Sequence, residues 1–283
     1  MNAIALTKKR RPLLVEFTGV TGAGKSTLVT ALIDVLSRQG LAAREAHDVI
    51  LARYGLRCQG WPGLRAVFIH FLAVLPFLRY LLTREGFRLA CFAARVVARD
   101  AGSFRLVIRL LRNFVKQIGT YRLLLALQPR LQACDFILCD EGALHVAHNL
   151  FVHTGAAPRR DEILLFAAMI PKPDVIVWVK APRAHSVACT LQRGHPRVRG
   201  TAAAAEAFVD HAHLTFDTLC SLPELRNRTL AVVNSAFNPA DLGPAVDKQA
   251  HRVAAFLRTG THGALANAPH HKTRFARALA TPA

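Results

Sequence analysis

Leu13-Leu14-Val15-Glu16-Phe17-Thr18-Gly19-Val20-Thr21-Gly22-Ala23-Gly24-Lys25-Ser26-Thr27 decides the reading of this chain. It opens as a short apolar run, turns through three glycines and continues into an amphipathic segment. Gly19 to Ser26 carries the phosphate-binding pattern G-x-x-x-x-G-K-[ST] at every fixed position. Glycines let successive backbone N–H groups point inward and form a concave anion nest. A helix starting at Lys25 adds its open N–H groups and the positive end of its dipole. The segment therefore predicts a nucleoside triphosphate site built from Gly19, Val20, Thr21, Gly22, Ala23, Gly24, Lys25, Ser26 and Thr27. In such a site ATP is the expected ligand, Lys25 reaches the β- and γ-phosphates, and the Ser26 hydroxyl ligates Mg²⁺.

Working outward, residues 1–12 read as a flexible basic arm, because Lys8-Lys9-Arg10-Arg11 leads straight into the strand. The first strand spans Leu13–Thr18 and the first helix Lys25 to about Arg38. Leu41–Ala46 reads as a second strand. Arg44, Glu45 and Asp48 lie at its carboxyl end, where open α/β sheets gather their ligands, and are the expected substrate contacts. Asp135–Gly142 reads as a buried strand ending in Asp140 and Glu141. Asp140 is the expected partner of Ser26 in the Mg²⁺ shell, and Glu141 a general base, metal partner or substrate contact. The helix after it carries His145, His148 and His153, read as surface or substrate-facing. Asp174–Val179 is a further apolar strand. The segment Gln192–Gly200 brings Arg193, Arg197 and Arg199 just past a helix, where they can close over phosphates and neutralise transition-state charge. A last strand, Thr229–Val233, and a closing helix, Asp247–Leu257, follow. Beyond Thr259 the chain loses periodicity and reads as a disordered basic tail.

Between Trp61 and Leu131 stand twelve basic residues and two acids, Glu85 and Asp100. Leu64, Phe68, Phe71, Leu75, Leu78 and Leu82 form one helical stripe, expected to pack inward. Arg84, Arg88, Arg95 and Arg99 fall within about 60° of one another on a helix, as do Arg105, Arg109, Arg112 and Lys116. The block at about 60–130 is thus a helical insertion with basic faces. A membrane-spanning helix over Ala66–Leu82 is not expected, since His70, Pro76 and Arg79 interrupt it. Weak contact with anionic membrane surfaces is.

Composition bounds the rest. With 52% hydrophobic residues in 283, the chain has ample material for a core. Its 37 Lys+Arg against 18 Asp+Glu give a formal charge of +19, which favours anionic partners. No nucleic-acid reading motif accompanies that charge. Six cysteines occur singly with no C-x-x-C pair, pointing to reduced thiols and a cytoplasmic protein. Nothing indicates the oligomeric state.

The order of these landmarks over residues 13–258 resembles the thymidylate kinase-like branch of phosphate-loop nucleotide kinases. That family has an Arg-Glu-Pro element after the second strand, matched here by Arg44-Glu45-Ala46 without the proline. It has a strand ending Asp-Arg, here Asp140-Glu141, and a strand introduced by Pro-Asp, here Pro173-Asp174. An arginine-bearing lid follows, matched by Arg193, Arg197 and Arg199. The resemblance implies an α/β, three-layer phosphate-loop NTPase fold with a mostly parallel sheet and transfer of phosphate from ATP to a small-molecule acceptor. Glu141 in place of the family's arginine disfavours a phosphate at that point and suits a neutral hydroxyl acceptor. The runner-up reading is a nucleotide-hydrolysing switch, peripheral to the membrane, in which Glu141 positions water.

Overall fold

The computed structural model describes residues 11–56, 61–131, 134–195, 197–198, 201–234 and 239–262, the last without side chains for 239–242 and 260–262. Five strands form one sheet: β1 (Leu13–Thr18), β2 (Ala43–Glu45), β3 (Phe136–Cys139), β4 (Val175–Lys180) and β5 (Thr229–Val233). Their order is β2-β3-β1-β4-β5, and all four ladders are parallel. Parallel strands need helical crossovers that cover both faces, which is why β1, β3 and β4 read as unbroken apolar runs. β1 is the middle strand, pairing Leu14 with Ile137 on one side and Val15 with Val175 on the other. The strand order reverses at β1, so the ligand crevice opens at its carboxyl end, where the glycine-rich loop begins.

The start of β1 is pinned by a side chain. Asp174, just before β4, accepts from the Leu14 amide at 2.9 Å and from the Gln128 amide group at 3.0 Å. Arg11 grips the same carboxylate with two donors, at 2.8 and 3.1 Å. The end of the expected flexible arm is therefore fixed at Arg11, while residues 1–10 lie outside the described residues.

α1 (Lys25–Arg38) follows the loop and packs along α11 (Pro239–His262). The closing helix is longer than the periodicity of 247–257 indicates, and the tail beyond His262 lies outside the described residues. After β2 come the short α2 (Ala46–Arg53) and the insertion: α3 (Pro62–Leu81), α4 (Arg84–Asp100) and α5 (Phe104–Leu127). Local chemistry punctuates it. Pro62 occupies the first turn of α3, Thr83 caps α4 by accepting from the Gly86 amide, and Ser103 caps α5 by accepting from Leu106. Arg99 ties the insertion to α7 (Arg160–Met169) through two bonds to Glu162, at 2.6 and 2.8 Å. The chain ends its circuit through α6 (Val146–Phe151), α8 (Arg183–Arg193), α9 (Ala202–Cys220) and α10 (Pro223–Arg226).

The stripe on α3 departs from expectation. Leu64, Phe71, Leu75, Leu78 and Leu82 are exposed and Phe68 is half-buried. Ile69, Ala73, Phe77 and Tyr80, on the opposite side, face the protein. The helix is apolar almost all round, so periodicity marked a stripe without marking the buried one. α3 meets α5 closely enough that a Cβ on Gly119 would collide with the Ala73 carbonyl. Gly119→Ala is therefore expected to cost about 1–3 kcal/mol in urea unfolding, against the usual helical preference for alanine. Gly63→Ala, in open space at the start of α3, serves as the neutral comparison.

Candidate functional site

The glycine-rich loop is held from three sides. Gly19 has a φ of 138°, and its Cα lies so close to the Val179 carbonyl that a Cβ would overlap it. Gly24 precedes α1 in the left-handed region, at a φ of 88°, and α1 begins with no capping side chain. The first-turn N–H groups of α1 therefore stay open to an anion. This is a phosphate-loop NTPase fold. Lys25 folds back over the loop, donating to the Gly19 and Val20 carbonyls at 3.2 and 3.1 Å. Burial lowers its pKa, opposed by Asp140 and Glu141. The side chains of Val20 and Ala23 are buried, whereas Ser26 and Thr27 are exposed.

Strand β3 delivers the carboxylates. Ser26 donates to Asp140 Oδ2 at 2.5 Å, while Asp140 Oδ1 is buried without a partner among the described residues. Burial raises the Asp140 pKa against the Ser26 hydrogen bond. An orphaned carboxylate oxygen beside a hydroxyl fits a divalent cation that takes few protein ligands and completes its shell with water and phosphate. No group of three His, Cys, Asp or Glu that could hold a metal by itself occurs among the described residues.

The loop after β3 is fixed from beneath by Glu16, fully buried in the middle of β1. Its Oε1 accepts from the His145 amide at 3.0 Å. Gly142 lets the loop pass close by, since a Cβ there would stand 2.5 Å from the Glu16 carboxyl and displace it. Burial pushes the Glu16 pKa up to about 8, although the amides of residues 142–145 favour the anion.

His145, His148 and His153 are buried, which corrects the surface reading of their helix. The rings of His145 and His148 stack at 5.1 Å. His148 bridges the glycine-rich loop and the arginine segment. Its Nδ1 meets Arg197 Nη2 at 2.8 Å, and its Nε2 meets Thr21 Oγ1 at 3.2 Å. A guanidinium only donates, so Nδ1 accepts, and Nε2 carries the proton given to Thr21. Arg197 donates in addition to the His148 and Val152 carbonyls, both at 2.8 Å. Burial lowers its pKa to about 10. Arg197 is thus anchored beside the site rather than loose over it.

The remaining expected residues divide. Arg193 is exposed at the end of α8. α8 itself lies against the loop, with a Cβ on Gly22 falling 2.7 Å from Cys189 Cβ. Arg199 lies outside the described residues. Glu45 and Asp48 are both taken by Arg65 of α3, at 3.0 and 3.2 Å, and Arg44 is exposed at the sheet edge. None of these three lines the cavity described next, because the edge strand β2 ends one strand away from it.

That cavity, of about 380 Å³, opens beside Thr21, Glu141, His145 and His148. Its other wall is α5, which supplies Arg109, Asn113 and Lys116. Arg109 and Lys116 form no ion pair among the described residues. Glu141 is half in water, and the neighbouring His145, 3.6 Å away, is the first cause holding its pKa below the usual range. The spacing of Arg109, Asn113 and Lys116 at i, i+4 and i+7 is visible in the sequence as one helical face. What the sequence lacks is the direction in which that face points.

No known family profile and no curated protein sequence matches the chain. Solved structures do. A shikimate kinase from Acinetobacter baumannii, in complex with shikimate, is 11% identical over 89% of this chain and 96% of that one, with a TM-score of 0.41. A thymidylate kinase from Candida albicans is 12% identical over 89% and 93%, with a TM-score of 0.46.

The pKa shifts predict the pH dependence of stability. Burial first, then nearby cations, pulls His47, His145 and His195 down to about 4. Their contribution is present above the ordinary 6.5 and lost as pH falls toward 4. Glu16 has the opposite sign: its contribution is present below 4.5 and lost as pH rises through about 8. Melting temperature is therefore expected to climb from acid, peak near neutrality and fall beyond. Glu16→Gln should remove about 1–3 kcal/mol of the alkaline loss. An unchanged alkaline limb in that variant would show that Glu16 is already ionised in the fold.

Proposed function

We propose that the protein is an ATP-dependent phosphotransferase acting on a small-molecule acceptor. The observation that carries this reading is the meeting of three parts at the end of β1. They are a complete phosphate loop, the Ser26–Asp140 pair, and a cavity with Glu141 on its rim. A hydrolytic switch needs room for one water; about 380 Å³ is room for a whole acceptor.

In this mechanism the open amides of the loop and the start of α1 bind the triphosphate, and Lys25 exchanges its two carbonyl partners for phosphate oxygens. Ser26 and Asp140 would hold Mg²⁺, which supplies charge neutralisation on the phosphates. Glu141 accepts the proton of the acceptor hydroxyl. The acceptor oxygen bonds to the γ-phosphorus as its bond to the β-phosphate oxygen breaks, and ADP leaves. Arg109 and Lys116 on α5, without an ion pair among the described residues, favour an acceptor that also carries an anionic group, with its hydroxyl turned toward Glu141.

ADP release by purified protein with Mg²⁺ tests this, using neutral sugars, nucleosides, hydroxy acids and phosphate monoesters as acceptors. Anionic hydroxyl compounds are expected to stimulate release, and Arg109→Ala to raise their KM about tenfold or more while kcat changes little. Lys25→Ala should weaken ATP binding in calorimetry, and Asp140→Asn should mainly lower turnover. Slow ADP release that no acceptor accelerates would overturn the phosphotransferase reading in favour of hydrolysis. Equal ATP affinity in wild type and Lys25→Ala would remove the nucleotide site itself.

A further inference from the structure

Along α3 one line of apolar side chains stands in water. Trp61 is 71% exposed, Phe71 79%, Leu75 74% and Leu82 88%, with Leu64 and Leu78 between them. At 100° per residue these six fall within an arc of about 100°, and at 1.5 Å per residue they extend for about 30 Å. A contiguous apolar stripe of that length on a soluble fold marks a contact surface.

Charge selects what covers it. No Asp or Glu occurs from Trp61 to Arg84. Arg79, Arg84 and Arg88 border the carboxyl end of the stripe, all exposed and without an ion pair among the described residues. The segments outside the described residues, 1–10 and 263–283, hold Lys8, Lys9, Arg10, Lys272, Arg274 and Arg277 and no acid. A second copy of the chain would bring the same basic border against its own. The complementary partner is apolar in one layer and anionic in the next, which describes a bilayer with anionic headgroups. Trp61 at the amino end suits the headgroup level, where indole rings collect.

α3 is also long and apolar enough to cross a membrane, at 20 residues with a mean hydropathy of 1.6. Its inner face argues against crossing. Ala73 sits under Gly119, and the Phe77 and Phe114 rings meet edge to face at 5.8 Å. Spanning would strip α3 from α5 and open the cavity wall.

We propose that α3 docks the protein on anionic membrane surfaces, with the stripe in the boundary between headgroups and acyl chains and Arg79, Arg84 and Arg88 on the lipid phosphates. The proposal is independent of the phosphotransferase reading.

Sedimentation of the full chain with vesicles tests it. The two lipids are phosphatidylcholine alone and an equal mixture with phosphatidylglycerol, each at low and high salt. Binding is expected on the mixture at low salt, weakened by salt and absent on phosphatidylcholine. Phe71→Ser with Leu75→Ser, and separately Arg84→Glu with Arg88→Glu, should each lower the bound fraction about tenfold at an unchanged melting temperature. All four side chains are in solvent, so the fold has no stake in them. Absence of wild-type binding to the mixture at low salt overturns the proposal. So does a lipid-free dimer, seen by light scattering, that the Phe71/Leu75 variant abolishes, since the stripe would then be a self-interface. Resistance to carbonate extraction from cell membranes also overturns it, in favour of a spanning helix.

Discussion

One carboxyl group sets the geometry on which the site depends. Glu16 lies in the middle of the central strand, with its side chain under the loop that leaves β3. β1 carries the phosphate loop and β3 carries Asp140 and Glu141. A hydrogen bond from the His145 amide to Glu16 therefore ties the loop after β3 to the strand that carries the phosphate loop. An apolar residue there would pack as well against Tyr121 and Cys139, but it would leave the amides of the turn without an acceptor. A charge in the core costs stability above neutral pH, and the fold carries that cost where it positions chemistry.

Much of the sheet was legible, because its signals are local. An apolar run, a left-handed glycine and an amphipathic start specify the loop between β1 and α1 without help from elsewhere. The terminal carboxylate of β3 was legible for the same reason: a buried parallel strand shows no alternation, so two acids at its end stand out. Boundaries slipped where tertiary packing extends or trims an element, as with the three residues of β2 or the first turns of α11.

Direction was not legible. A helical wheel gives faces and says nothing of which neighbour each meets. Arg109 and Lys116 belong to a face noticed for its charge, yet only the fold of the insertion turns it toward the cavity. On α3 the error ran the other way, since two apolar faces compete and the smaller residues, Ala73 among them, are the ones that allow close approach to α5. His148 was visible as a histidine on a short helix. Its role depends on Thr21 and Arg197, 127 and 49 residues away, and spacing cannot encode that.

The bridge through His148 has a thermodynamic corollary. A histidine ring has two nitrogens, and here one is spent on the glycine-rich loop and the other on the arginine segment. A ligand that draws Thr21 away from the ring alters the hold on Arg197, and a ligand that recruits Arg197 alters the loop by the same free energy. The two halves of the crevice are therefore not separate compartments. In the proposed reaction, occupancy of one half would thus be coupled to the affinity of the other, with a sign decided by whether the bridge survives with both ligands bound.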